Sequence, residues 1–241
     1  TSELLFIALI KRVHKTNKSL IMKTISRRKL IQLSLLGGIA SALGSRSSFG
    51  KVLALMPTPD ETEGPFYPVK NQNDKDADLT QIKGHTGVAQ GQHIIVSGQV
   101  QDIAGHPVAN AVLDIWQADA NGRYRHPRDP NKAKLDENFQ GWAVIQTDDN
   151  GFFRFKTVMP GAYPASGNWI RPPHIHLKIS KPGYRALTTQ MYFPDEKHNK
   201  TDLLLNAKSA AEKSAMIAKN VGQQGNLLIY EYNIVLDLLR K

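Results

Sequence analysis

From residue 90 onward the chain is a succession of short β-branched runs separated by Gly, Pro, Asn and Asp clusters, and this rhythm limits the fold more than any other feature. His93 to Val100 predicts a strand, Ala104-Gly105-His106-Pro107 a turn, and Val112 to Gln117 a second strand closed by Asp119-Ala120-Asn121-Gly122. Gly141 to Thr147, the turn Asp148-Asp149-Asn150-Gly151 and Phe152 to Val158 predict a hairpin. Further strands are expected at His174 to Ser180, Leu187 to Phe193 and Leu227 to Leu236, with one amphipathic helix over Ser209 to Val221. Short strands at regular spacing predict an all-β sandwich or barrel of antiparallel strands with at most one or two short helices. Residues 59–68, with three prolines in ten, fit neither period and predict an extended arm.

The formal charge of +10 suggests a polyanion partner until its distribution is examined. Residues 1–51 hold ten of the 31 Lys/Arg and one of the 21 Asp/Glu, which leaves 21 basic against 20 acidic residues in the body. A nucleic-acid surface would carry its excess on the folded part, so nucleic acid is excluded as a partner. The basic segment instead has the grammar of an export signal: Lys23, then Ser26-Arg27-Arg28-Lys29-Leu30, then a weakly apolar run from Leu30 to Leu43. Its twin arginines resemble a Tat signal, so a periplasmic or secreted location is expected. The run falls short of the roughly 20 apolar residues of a membrane span, so no stable membrane anchor is expected. Met22 is a natural start for that signal, with residues 1–21 upstream of it and the mature chain beginning near residues 45–52. Residues 1–50 are thus assigned to the signal and a disordered upstream segment, and residues 51–241 to one β-sandwich domain. The chain has no cysteine, which excludes thiol ligands, disulfides and a lipid-modified cysteine.

His174 and His176 stand two apart on a predicted strand, so both imidazoles leave one face while Ile175, Leu177 and Ile179 leave the other. Tyr124 and Tyr163 each follow a glycine-containing turn, where loops on a rigid β scaffold commonly carry functional groups. Phenolate oxygen is a hard anionic donor, and two phenolates with one hydroxide cancel the charge of ferric iron, so this donor set suits Fe(III) better than zinc or copper. Singly, each residue has a plainer explanation: histidines on a solvated strand face, tyrosines in packing. A zinc hydrolase using His174 and His176, and a non-catalytic sandwich that binds sugar, protein or matrix, are the two competing readings.

Residues 96–163 contain Ser-Gly-x-Val, Gly-x-Pro-Val, Thr-Asp-x-x-Gly-x-Phe-x-Phe and Pro-Gly-x-Tyr, similar to the repeat of prealbumin-like β-sandwiches. That repeat leaves unexplained Asn121 to His126, Trp169 to His176 and the Pro-rich arm. Together these segments resemble the intradiol ring-cleavage dioxygenases, especially the subunits of protocatechuate 3,4-dioxygenase, over residues 59–195. The matching motifs, in order, are Asp114-Ile115-Trp116-Gln117-Ala118 with Gly122-Arg123-Tyr124, Pro160-Gly161-x-Tyr163-Pro164, Arg171-Pro172-x-His174-Ile175-His176, and Thr189-Gln190-Met191-Tyr192-Phe193.

The resemblance implies ferric iron and a hydroxide held by Tyr124, Tyr163, His174 and His176, with Tyr163 and His176 axial and the other two equatorial. It implies cleavage of a catechol-type ring between its hydroxylated carbons with O2, giving a cis,cis-muconate-type diacid in aromatic catabolism, without an organic cofactor. Arg171 and Gln190 take the places of residues that stabilise charge on the ring, Tyr163 that of a proton acceptor, and Gly64 and Pro65 that of the substrate-pocket wall. Where the protocatechuate branch has Trp after Tyr-Pro, this chain has Ala165, and the loop to Trp169 is short, which leaves the choice of catechol open. The chain has no room for the helical N-terminal domain of catechol 1,2-dioxygenases, so a sandwich-only enzyme is expected, assembling with itself or with a second chain.

Overall fold

The computed structural model describes residues 54–239; the expected export signal lies outside the described residues. Two sheets hold the core. The first is built on β1 (His93–Asp102), which pairs antiparallel with β4 (Phe152–Val158) on one side. On its other side β1 pairs parallel with β10 (Leu227–Glu231) through Ile94 to Ser97 and with β11 (Ile234–Leu236) through Val100 to Asp102. β9 (Lys219–Gln224) closes that edge against β10. The second sheet runs β3-β2-β7-β8 (Trp142–Gln146, Val112–Trp116, His174–Ser180, Leu187–Tyr192), all antiparallel. β5 (Tyr163–Ser166) and β6 (Trp169–Arg171) form a small hairpin beside it.

Alternation explains why the sheets stack. Ile94, Val96 and Val100 of β1 and Phe153 and Phe155 of β4 are buried from one side, and Leu113, Ile115, Ile175, Leu177, Ile179 and Met191 from the other, in one apolar cluster. Each such aliphatic side chain, fully withdrawn from water, contributes about 1.5–3 kcal/mol before conformational entropy is subtracted. The expected all-β sandwich is therefore present.

Four details differ from the sequence expectation. β3 and β4 do not form a hairpin: β3 joins β2 and β4 joins β1, so the Asp148–Gly151 turn carries the chain from one sheet to the other. Turn chemistry marks a reversal and is silent on which sheet receives the next strand. The helix is shorter, α2 (Ala210–Met216) after a capping box of Ser209 and Glu212, and Val221 and Gly222 fall in β9. A one-turn α1 (Leu203–Asn206) and a 3-10 turn at Lys197–Lys200 precede it, on the segment that carries the chain from β8 in the second sheet to β9 in the first. The last strand is broken at Tyr232 and Asn233, where the chain passes across Gly98 between its two parallel registers on β1.

At that crossing Tyr232 N donates to the Ser97 carbonyl at 2.8 Å, and a Cβ built on Gly98 would overlap the Tyr232 carbonyl oxygen and crowd Phe153. Gly98→Ala is expected to cost about 2–3 kcal/mol and to lower the thermal midpoint by roughly 5–10 °C. Circular dichroism melts check this, and an unchanged midpoint would show that the crossing relaxes freely.

Candidate metal centre

Four donors from three elements meet at one end of the second sheet. β7 carries His174 and His176, paired with Tyr192 and Gln190 of β8, and His176 also lies opposite Trp116 of β2. β5 opens on Tyr163, which pairs with Arg171 at the end of β6. Tyr124 comes from the loop after β2. Its backbone N–H donates to Asp129 Oδ2 at 2.7 Å, and Asp119 gathers the same loop by accepting from Asn121 N and Arg123 N. The two tyrosine loops interlock through glycine. Gly122 takes φ +75°, Gly161 N donates to the Asp119 carbonyl, and a Cβ on either glycine would strike the other loop's backbone. The Asn-Gly and Pro-Gly turns thus set the Tyr124–Tyr163 approach, with ring centroids 5.5 Å apart.

The Tyr124 hydroxyl lies 3.0 Å from His176 Nε2 and 3.3 Å from His174 Nε2. His174 Nδ1–H donates to the Pro172 carbonyl at 2.6 Å, which leaves the Nε2 lone pair facing the phenols. His176 is held by stacking on Trp116, centroids 4.8 Å apart and planes within 8°, while its Nδ1 is buried without a partner. All four donors are buried.

Burial controls their ionisation. It pushes the Tyr124 phenol well above its usual range, and the neighbouring Tyr163 adds to this. Burial likewise raises Tyr163, partly offset by the Arg171 guanidinium. Burial, then Arg171, lowers His176 to about 3, and the same causes hold His174 well below its ordinary value. Near neutrality the imidazoles are thus uncharged lone-pair donors, and the phenols wait for a cation to make ionisation favourable. Two neutral nitrogens and two hard oxygens converging in a dry site fit a trivalent hard metal. Among the described residues no group of three or more His, Cys, Asp or Glu side chains converges on a metal position, so the site depends on its phenols.

The other predicted residues gather round this cluster. Arg171 Nη2 donates to Gln190 Oε1 at 2.6 Å and to the Tyr192 hydroxyl at 3.1 Å, and Gln190 Nε2 donates to the Thr62 carbonyl of the arm. Gly64, at φ +72°, lies over His176, where a Cβ would stand 3.4 Å from Cε1. Pro65 follows it and is exposed. Sequence reasoning missed three contributors. Phe66 packs 4.9 Å from the Tyr124 ring, Trp116 holds His176, and Asp202 accepts from Arg171 Nε at 2.7 Å. Trp116 lies within the Asp114–Ala118 motif and Asp202 reads as the cap before Leu203-Leu204-Leu205, but neither pattern carries information about the partner each holds at the site.

A family model described as Dioxygenase matches residues 62–238. Among curated proteins, the protocatechuate 3,4-dioxygenase beta chain of Burkholderia cepacia is 37% identical over 178 residues, covering 71% of this chain and 76% of that one. The 6-chlorohydroxyquinol 1,2-dioxygenase of Cupriavidus pinatubonensis is 34% identical over 136 residues, 51% of this chain, which spans only 47% of that relative. Among solved structures, the dioxygenase domain of a dioxygenase carbohydrate-binding protein fusion from Streptomyces sp. SirexAA-E superposes with TM-score 0.57 at 32% identity, covering 76% of this chain and 99% of that one.

The low imidazole pKa values set a pH dependence. Because His174 and His176 bind protons less readily folded than unfolded, their contribution to stability is complete above about pH 6.5 and is lost as pH falls, for His176 toward about 3. Urea titrations of the metal-free protein between pH 6.5 and 4.5 are expected to show stability falling by up to about 1.4 kcal/mol per pH unit per histidine. His176→Asn should flatten that slope; a slope indifferent to the substitution would place the titration elsewhere.

Proposed function

The chain belongs to the intradiol ring-cleavage dioxygenases and is a ring-cleaving enzyme, and from that premise we propose that it is a ferric enzyme that opens a small catechol with O2 to a cis,cis-muconate-type diacid. The observation that carries this reading is the convergence of Tyr124, Tyr163, His174 and His176. These four would hold the iron. Bound Fe(III) would supply a Lewis acid that draws electron density from a catecholate and opens a ring carbon to dioxygen. In the net reaction both oxygen atoms enter the product and the bond between the hydroxylated carbons breaks, so no external reductant is needed.

The chain's own residues supply the rest. Tyr163 takes a substrate hydroxyl proton at Oη, since burial makes its phenolate a stronger base than an exposed one. Arg171, fixed by Gln190 and Tyr192, supplies positive charge against the ring as it becomes anionic. Gly64 and Pro65 form part of the substrate wall, and the absence of a Cβ at Gly64 keeps space over His176. The named relatives act on protocatechuate and a chlorohydroxyquinol, which supports a catechol-type substrate, and the beta-chain name of one supports assembly with itself or with a second chain. A zinc hydrolase has less support, since it gives the buried phenols no role. We also infer export, from Arg27 and Arg28; cytoplasmic retention of the paired Arg→Lys variant tests it.

The purified protein is expected to hold about one iron per chain, to be red-brown from phenolate-to-iron charge transfer, and to consume O2 with catechol, protocatechuate or hydroxyquinol. Tyr124→Phe should shift or weaken the colour. Arg171→Ala should keep the iron and lose turnover by about 100-fold, the scale of one lost preorganised donor. A colourless protein that takes up no oxygen with any of the three would end this reading.

A further inference from the structure

Arg171 stands opposite Tyr163 in the β5–β6 hairpin and bonds to Gln190 and Tyr192, the β8 residues that lie opposite His176 and His174. Its own placement is therefore a property of the site. A guanidinium has five N–H donors on a rigid fork, and its direction is set by which of them are tied. Nη2 is tied to Gln190 and Tyr192, themselves linked by the Tyr192 hydroxyl donating to Gln190 Oε1 at 3.2 Å. Nε is tied at 2.7 Å to Asp202 Oδ2, and the Trp169 ring lies 5.5 Å from Cζ. Among the described residues Nη1 alone has no partner, so the ties leave one free edge.

Asp202 is suited to act as the fixed end of this arrangement. Its side chain is fully buried and that of Arg171 is 5% exposed. Oδ1 accepts from Leu205 N at 2.8 Å and caps α1, while the Asp202 carbonyl accepts from Asn206 N and Nδ2. The carboxylate cannot swing without uncapping the helix, so both of its oxygens are committed. A cap alone would need neither the second oxygen nor the charge, because Ser and Asn cap as well as Asp. We propose that Asp202 is a positioning residue for ring cleavage: through Nε it orients the Arg171 guanidinium and keeps Nη1 as its free edge, while neutralising a buried cation that otherwise has none of its charge matched.

This inference rests on the dioxygenase reading, and its test separates the two. Asp202→Asn and Asp202→Ser both keep a competent cap and remove the carboxylate. With iron per chain unchanged, each is expected to lower kcat by about 100-fold while KM moves by less than about threefold. In an Arg171→Ala background, Asp202→Asn should change kcat by less than about twofold. A kcat within threefold of the parent, or the same loss with and without Arg171, overturns the proposal. The metal-free protein gives a readout independent of activity. Breaking a buried pair should lower the thermal midpoint of Asp202→Asn by about 10 °C, with the double variant no lower than that single variant. If Asp202→Asn does not fold while the double variant does, the coupling is supported. Additive losses, or a double variant that fails to fold just as the single does, show no coupling to Arg171 and overturn the proposal. A parent protein without ring-cleaving activity would count against the functional reading alone, since the metal-free cycle still reports on the pair.

Discussion

The position of β7 between β2 and β8 is the constraint on which the site depends. Side chains on a strand alternate with period two, so a slip of one residue would turn His174 and His176 into the apolar layer and expel Ile175, Leu177 and Ile179 from it. The three aliphatic side chains lie in the main core, and their combined burial makes the slipped register costly by several kcal/mol. The same register lays His176 against Trp116 on one neighbour and against Gln190 on the other, and His174 against Tyr192. Imidazole donors, ring support and guanidinium anchors are thus fixed together by apolar packing on the opposite face of one strand.

Concentrating polar groups in a dry place destabilises the metal-free protein, and the structure limits that cost unevenly. His174 Nδ1 and Arg171 have partners, whereas His176 Nδ1 and Trp116 Nε1 are buried without any. The phenols, held neutral by burial, contribute little until a cation allows them to ionise. Binding of a cation there would also be a folding term, since it would convert unfavourable buried acids into ligands. Asp202 has the opposite role: it offsets the one permanent charge at the cluster whether or not metal is present.

The sandwich was legible because burial on one face of a strand writes itself into sequence as alternation, clear in Val112 to Trp116 and in His174 to Ser180. Sheet membership was not legible. The turn at Asp148–Gly151 has hairpin chemistry, yet its strands separate because Phe153 and Phe155 pack from the sheet opposite Ala143. The helix end was misplaced since Ile217 to Val221 continues an apolar spacing that β10 recruits into a strand. The four donors could be picked out because their motifs are local, two histidines on one strand and two tyrosines after glycine turns. Asp202 could not be, for its link to Arg171 spans 31 residues and its local pattern is fully explained by a cap.

The Pro-rich arm shows how contacts of differing strength identify a working segment. The Glu63–Lys178 pair is half exposed and contributes about 0–1 kcal/mol, so it does not hold the arm. The Tyr67 hydroxyl, donating to Asp114 Oδ2 at 2.6 Å with its ring edge-on to Trp116, holds it more firmly, and burial followed by that carboxylate pushes the phenol up to about 12. Tyr67 therefore remains a donor at any physiological pH and anchors the arm beside the residue that supports His176. Upstream, Gln190 Nε2 reaches the Thr62 carbonyl while its Oε1 receives Arg171, so the backbone just before Gly64 and the guanidinium share one amide. A segment that served only as a linker would have no need of that shared group. Movement of the arm would be felt at Arg171 through Gln190, and this couples the backbone over His176 to the buried guanidinium.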